Sequence, residues 1–300
     1  MNRLLLLILF LLVLAPVSLS AKTHRTTSFD SSGIRTHVVE KDIAVKNFFR
    51  AIESIANKYA DSLQYKLNLY QLVNHNSWII DSLCHTSYYW LKERGIKETN
   101  QKERVVIKKG SVLMLPTQKE AEILASRLSA NKILVNIPEF KLRIFHEDLL
   151  IFDCPVRVGR NESKYLKSID KYMDLRTRKG KGFVYNTEHN PVWVNPADGK
   201  KYYDTKRDDG VVTKMPITPS ITNWLDGYVS GQLIHATTNN ETLGKAYSNG
   251  CIGTAEEDIW RIFFYCPPGT EVEIIYDLEL GSDGSTLLPD IYDKHQHKFK

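Results

Sequence analysis

Gln232-Leu233-Ile234-His235-Ala236-Thr237 and, after a short loop, Ser248-Asn249-Gly250-Cys251-Ile252-Gly253-Thr254 decide the reading of this 300-residue chain. In the first stretch a histidine follows an apolar run of strand character. In the second, sixteen positions on, a cysteine follows glycine, with a serine close by. A free thiol has a pKa of about 8.5 and is only slightly ionised at neutral pH, so a nucleophilic cysteine calls for a base. An imidazole within hydrogen-bond reach is such a base. Gly250 opens backbone conformations that a side chain would block. It also exposes the N–H groups of Gly250 and Cys251 to a reacting carbonyl, and each such donor is worth about 3 kcal/mol in a transition state. Cys251 is therefore the candidate nucleophile and His235 the candidate base, with Gly250 at an oxyanion position.

The other cysteines sit in different surroundings. The chain has four, at positions 84, 154, 251 and 266, widely spaced and without a Cys-x-x-Cys pair, which disfavours a zinc knuckle. Cys154 and Cys266 each stand beside apolar strand-like residues and a proline, the setting of a buried thiol acting as a small hydrophobe. His75, Cys84 and His85 are near one another in sequence but lack a fourth ligand at metal-site spacing. No metal or organic cofactor is expected.

The first residues differ in kind from the rest. Arg3, the apolar run Leu4 to Leu14, Pro16 and the small residues Ser18, Ser20 and Ala21 have the order of a secretory signal peptide over residues 1–21. The run is shorter than the roughly 20 apolar residues of a bilayer crossing. The expected location is thus outside the cytoplasm, in the periplasm or cell envelope, with no integral membrane segment left after cleavage. The net charge of +5 is spread along the chain. Nucleic-acid binding calls for a concentrated basic stripe, so no nucleic-acid partner is expected.

Residues 22–40 are polar and aperiodic, a flexible leader. From 41 the period becomes helical: Phe48, Ile52, Ile55, Tyr59 and Leu63 share a face, and further helices are expected over 69–74 and about 81–93, the last ended by Gly95. A short strand pair turning at Lys109-Gly110 and a helix carrying Ala121 and Leu128 complete a mainly helical segment over 41–130. From 131 the period is two, with Ile133, Val135 and Ile137, then Leu142 and Ile144, then Leu149 and Ile151, and His146-Glu147-Asp148 as a hairpin connection. Val156 to Gly159 is expected to continue that sheet. Lys179-Gly180-Lys181-Gly182 and Asp208-Asp209-Gly210 read as turns. A helix over 256–265 and a strand over 271–276 close a mainly β domain over 131–278, and 279–300 reads as a tail. The fold class is α+β.

The His235 and Cys251 stretches resemble the L,D-transpeptidase catalytic domain, the YkuD-like family, whose motif is a histidine, a loop and Ser-His-Gly-Cys. The resemblance runs from about Lys132 to Asp277 and includes the strands around Phe152 to Gly159 and the closing Pro268-Gly269-Thr270-Glu271-Val272. It implies a β-sandwich with a short helix, and peptidoglycan stem peptides as partner. Cys251 would attack the carbonyl of the third residue of a stem tetrapeptide, release D-alanine, and pass the acyl group to an amine. Water as acceptor would make the reaction a carboxypeptidation. The resemblance also implies that the Ala236 carbonyl orients His235 and that Ser248 supports the turn.

Two positions depart from the family. Asn249 stands where a second histidine is usual, and it can donate a hydrogen bond but cannot titrate. Gly253 stands where the family commonly carries arginine, so a cation for a substrate carboxylate is missing from its expected place. Arg178, Lys181 and Arg207 are the substitutes the sequence offers. Papain-like and NlpC/P60-like enzymes place Cys before His, and sortases separate His and Cys by a much longer gap. A non-catalytic wall-binding protein remains the alternative from another class. Oligomeric state is unreadable from the sequence.

Overall fold

The computed structural model describes residues 35–59, 63, 65–167, 170–195, 199–282 and 285–294; the expected signal peptide and most of the leader lie outside them. Strands β1 (Thr36–Val38) and β2 (Ile43–Ala44) come first, then helix α1 (Phe48–Lys58). The end of the expected leader is therefore structured. β1 pairs with a later strand, Val39 is buried, and His37 Nδ1 lies 2.9 Å from the Tyr59 hydroxyl.

Helix α2 (Leu69–His75) follows, opened by a reciprocal cap in which Asn68 and Gln71 each bond the other's backbone N–H. The single helix expected over 81–93 is two, α3 (Trp78–Cys84) and α4 (Tyr88–Glu93). Thr86 Oγ1 donates to the Leu83 carbonyl at 2.7 Å and Ser87 adopts an extended ψ of 138°, so the Thr86 hydroxyl competes with the helix at the break. Strands β3 (Val105–Ile107) and β4 (Val112–Met114) flank the Gly110 turn, but they do not pair with each other. β3 pairs with β2 and β4 with β1, partners only two and three residues long and hence too short to show a period.

Helix α5 (Gln118–Ser129), capped by Thr117 and Glu120, leads into β5 (Asn131–Asn136), β6 (Lys141–His146) and β7 (Leu149–Pro155). The hairpin at Glu147-Asp148 is as expected, with His146 opposite Leu149. β8 (Val158–Gly159) leaves that sheet. β9 (Ser163–Leu166) pairs with β10 (Lys171–Asp174), and β11 (Gly180–Glu188) is a long strand where a glycine turn was expected. The glycines serve close packing: a Cβ on Gly182 would lie 1.7 Å from the Trp224 carbonyl oxygen. The Asp208–Gly210 turn joins β12 (Asp204–Lys206) to β13 (Val212–Lys214).

The last strands are β14 (Ser220–Leu225), β15 (Tyr228–Val229), β16 (Ile234–Ala236), β17 (Ala246–Ser248), β18 (Ile252–Thr254) and β19 (Glu271–Ile275), with helix α6 (Glu256–Tyr265) before β19. One nine-stranded sheet has the order β18-β16-β14-β11-β19-β5-β6-β7, with β15 alongside β14. β8 and β17 form a separate parallel ladder beside it. The architecture is α+β, N-terminal helices followed by a β-rich part.

Two hydrophobic cores meet at α6. Its Ile259 and Ile262 pack with Ile133, Val184, Ile221 and Ile234 of the sheet, while Trp260, Phe263 and Phe264 pack with Phe48, Ile52 and Leu83 of the helical part. The helix is apolar on these two faces, and its charged residues Glu257, Asp258 and Arg261 form a partly exposed stripe between them. The expected boundary near residue 130 is thus no break in packing. Nor is the stretch past 278 wholly a tail: Tyr292 is buried, and its hydroxyl donates to the Gly159 carbonyl at 2.7 Å. Among the described residues no helix is long and apolar enough to cross a membrane.

Candidate active site

β16 and β18 lie side by side in parallel register, Ile234 opposite Ile252 and His235 opposite Gly253. Just ahead of that ladder the Ile252 N–H donates to the Leu233 carbonyl at 2.8 Å, which brings Cys251 level with Leu233. Side chains alternate along strands, so Cys251 and His235 emerge on one face, offset diagonally by two residues.

The imidazole is held in a defined orientation. His235 Nδ1 lies 2.8 Å from the Ala236 carbonyl oxygen, to which it donates, leaving Nε2 as the basic nitrogen. The indole of Trp193 covers the ring, centroids 4.7 Å apart. Burial, and then the positive charge of Arg157, lower the His235 pKa to about 4 despite the Ala236 bond. The ring is therefore neutral at physiological pH and able to accept a proton.

Cys251 is partly exposed, whereas Cys84, Cys154 and Cys266 are buried; all four are free thiols. Burial raises the Cys251 pKa, opposed by the Leu233 N–H, which donates to Sγ at 3.4 Å, and by Arg157. The resting pair is thus thiol and neutral imidazole.

The turn before Cys251 is fixed from several sides. Gly250 has φ of 110°, a conformation that glycine favours. A Cβ there would lie 2.5 Å from Nε2 of Gln232, whose amide donates to the Arg176 carbonyl and accepts from the Arg178 N–H. Ser248 Oγ donates to the Cys251 carbonyl at 2.6 Å and accepts from the Gly250 N–H at 3.1 Å. The Gly250 N–H is consequently engaged, and the expectation of two backbone oxyanion donors reduces to one, the N–H of Cys251, which takes part in none of these bonds. The Gly250 carbonyl accepts from Thr177 Oγ1 at 2.8 Å, and the Thr177 N–H donates to Tyr292. Asn249 is exposed, and its Oδ1 accepts from Arg160 at 2.6 Å, which leaves its amide N–H groups as donors.

The expected substitute cations fare differently. Arg207 is buried and locked to Glu256, with Gln101 and Thr213 as further partners and the Tyr88 ring 4.6 Å from its guanidinium; it is a structural residue, not a substrate contact. Lys181 is paired with Glu273 at 2.6 Å on the strand β11. Arg178 is exposed, and only its backbone is tied to the site, through Gln232. The cation that does reach the site is Arg157, which the sequence reading passed over. A Cβ on Gly253 would lie 2.6 Å from Arg157 Nε and 2.7 Å from its Cγ, so this side chain fills the space over the glycine. Its one sequence signal was an arginine within a short, otherwise apolar strand. Among the described residues no group of three His, Cys, Asp or Glu side chains gathers as metal ligands would.

Residues 130–274 match the family model of YkuD, the L,D-transpeptidase catalytic domain. The chain carries, over that stretch, a domain of the YkuD L,D-transpeptidase family. The Salmonella typhimurium protein named "Probable L,D-transpeptidase ErfK/SrfK" is 27% identical over 169 residues, 55% of this chain and 50% of that protein. Its Escherichia coli namesake is 26% identical over 171 residues, 56% of this chain and 50% of that protein. The chain thus spans about half the length of the curated relatives it matches. Among solved structures, an L,D-transpeptidase from Xylanimonas cellulosilytica is 10% identical with a TM-score of 0.36, covering 80% of this chain and 98% of that one. An L,D-transpeptidase from Mycobacterium tuberculosis is 15% identical with a TM-score of 0.32, covering 49% and 57%.

Proposed function

We propose that this chain is a cysteine acyltransferase of the cell envelope that acts on peptidoglycan stem tetrapeptides. The observation that supports the reading is one partly exposed thiol, Cys251, next to the strand that pairs in parallel with the strand of His235, an imidazole whose Nδ1 is tied to the Ala236 carbonyl. Family membership over 130–274 supports it.

In this mechanism Sγ of Cys251 attacks the carbonyl of the third stem residue while its proton passes to His235 Nε2. The N–H of Cys251 and the amide of Asn249 are the donors available to the oxyanion. The tetrahedral intermediate collapses with loss of D-alanine, whose amine takes the proton from His235. A thioester remains. An acceptor amine then gives its proton to His235, attacks the thioester and forms the new amide, and the thiol recovers its proton. The same imidazole works as base and acid in turn, in keeping with the absence of a second histidine at Asn249.

The test is incubation of the purified mature protein with tetrapeptide-bearing muropeptides, followed by mass spectrometry. D-alanine release with cross-linked dimers is expected, and Cys251→Ala should abolish both. Tripeptide products without dimers would make the reaction a carboxypeptidation. Identical spectra for wild type and Cys251→Ala would sink the enzymatic reading.

A further inference from the structure

Gly253 and Arg157 form an isolated antiparallel bridge: the Arg157 N–H donates to the Gly253 carbonyl at 2.8 Å and the Gly253 N–H to the Arg157 carbonyl at 3.0 Å. With no side chain on Gly253, the arginine stem lies over it, beside His235, the register partner of Gly253 on β16. The guanidinium is poorly satisfied. Nε is buried without a hydrogen bond, and Nη1 reaches only Thr242 Oγ1, at 3.4 Å. Among the described residues no carboxylate lies within ion-pair distance of it. Burial accordingly lowers its pKa, while Cys251, Tyr247 and Asp208 are the acidic groups whose fields it feels. Asp208 itself is engaged by the Tyr89 hydroxyl and the Glu241 N–H. A half-buried cation with no counter-ion is costly unless an anion completes it.

We propose that Arg157 is the carboxylate-binding residue of this active site: its guanidinium receives the terminal carboxylate of the donor peptide and so sets the scissile carbonyl over Cys251. This rests on the reading of Cys251 as an acyl-transfer nucleophile. A planar guanidinium suits a carboxylate, offering two parallel donors where a lysine offers a point charge. The donor would be anchored one residue beyond the bond that breaks. The arginine reaches the site from the short link between β7 and β8, bridged to Gly253, and the glycine is the condition for it. Any side chain at 253 would push the guanidinium away.

Two small alkylating agents test this without any peptide. Iodoacetate carries the carboxylate that Arg157 would hold, and iodoacetamide is its neutral counterpart. The ratio of their rates at Cys251 should fall about tenfold in Arg157→Gln, the scale of one charge-assisted bond, with folding checked by circular dichroism. Gly253→Ala removes no charge but displaces the guanidinium, and it should lower the ratio in the same way. A ratio within twofold of wild type in folded Arg157→Gln would overturn the proposal; should that variant not fold, Gly253→Ala decides by the same criterion. In a second arm, wild type should prefer a tetrapeptide donor over its C-terminal amide, and the variants should lose that preference. If wild type turns over neither donor, the acyl-transfer reading fails, and the alkylation ratio still judges Arg157.

Discussion

The indole of Trp193 lies over the imidazole of His235, with ring centroids 4.7 Å apart and planes inclined by 40°. Removing water from a histidine disfavours its charged form, and burial is the leading cause of its pKa of about 4. Trp193→Ala should rehydrate the ring and raise that pKa by a unit or more, read from the NMR titration of the imidazole. The folded pKa lies below the ordinary value of about 6.5, so the protein loses stability as pH falls from there towards 4. The variant should narrow that window. An unchanged titration would assign the shift to something other than the indole.

Native alkylation with iodoacetamide should place a single adduct, on Cys251, by peptide mass spectrometry. Burial raises the thiols of Cys84, Cys154 and Cys266 well above their ordinary range, Cys84 to about 12. His235→Ala should slow the Cys251 adduct. Equal labelling of all four thiols would remove the case for a selected nucleophile.

Gly250→Ala should cost activity and stability together. The position needs φ of 110°, and the added methyl would press on Gln232, which also ties down the 176–178 segment. Holding a non-glycine residue in such a conformation costs about 1–3 kcal/mol. Denaturant unfolding should register that loss, and Cys251 alkylation should fall with it. Wild-type values for both would mean the turn relaxes freely.

Arg207→Gln should unfold more readily while leaving any residual chemistry intact. It strands the carboxylate of Glu256, which is buried and also accepts from the Tyr88 N–H and Gln101. Breaking a buried pair from one side typically costs about 3–5 kcal/mol. A change in substrate preference at unchanged stability would return Arg207 to the binding site.

Asp258 gives a stability test with a definite sign. Burial, helped by Glu257, raises its carboxyl to about 7 against the partial relief of Arg261. The unfolded value is about 3.9, so its contribution is full below that pH and is lost as pH rises through 7. Asp258→Asn should therefore stabilise at pH 8 by on the order of 2 kcal/mol, the gap closing towards pH 4. Equal gains at both pH values would mean that the proton is not responsible.

The sequence disclosed most where a feature is local and periodic. Helix α6 was legible between Thr254 and Pro267, and the hairpin at Glu147-Asp148 from its alternation. The candidate nucleophile and base were legible because a histidine ending a strand and a cysteine after glycine are unusual together. What stayed hidden depends on partners far along the chain. β1 and β2 are too short to carry a period, and Gly180 and Gly182 read as a turn because their close packing against β14 is invisible without the fold. Arg157 was missed for the same reason: it lies 96 positions before the glycine it covers, and no spacing rule links the two. Tyr292, which reaches the active-site turn through Thr177, likewise looked like part of a tail.

Helix α6 keeps only a narrow polar stripe, Glu257, Asp258 and Arg261, partly open to solvent. One face closes the sheet that holds His235, and the other is roofed by α1, α2 and α3. A shortened chain beginning at residue 130 would bare Trp260, Phe263 and Phe264 to water, turning a core into a sticky surface. The helical part thus walls in the half that matches the family, and the packed core runs beyond the stretch of family resemblance.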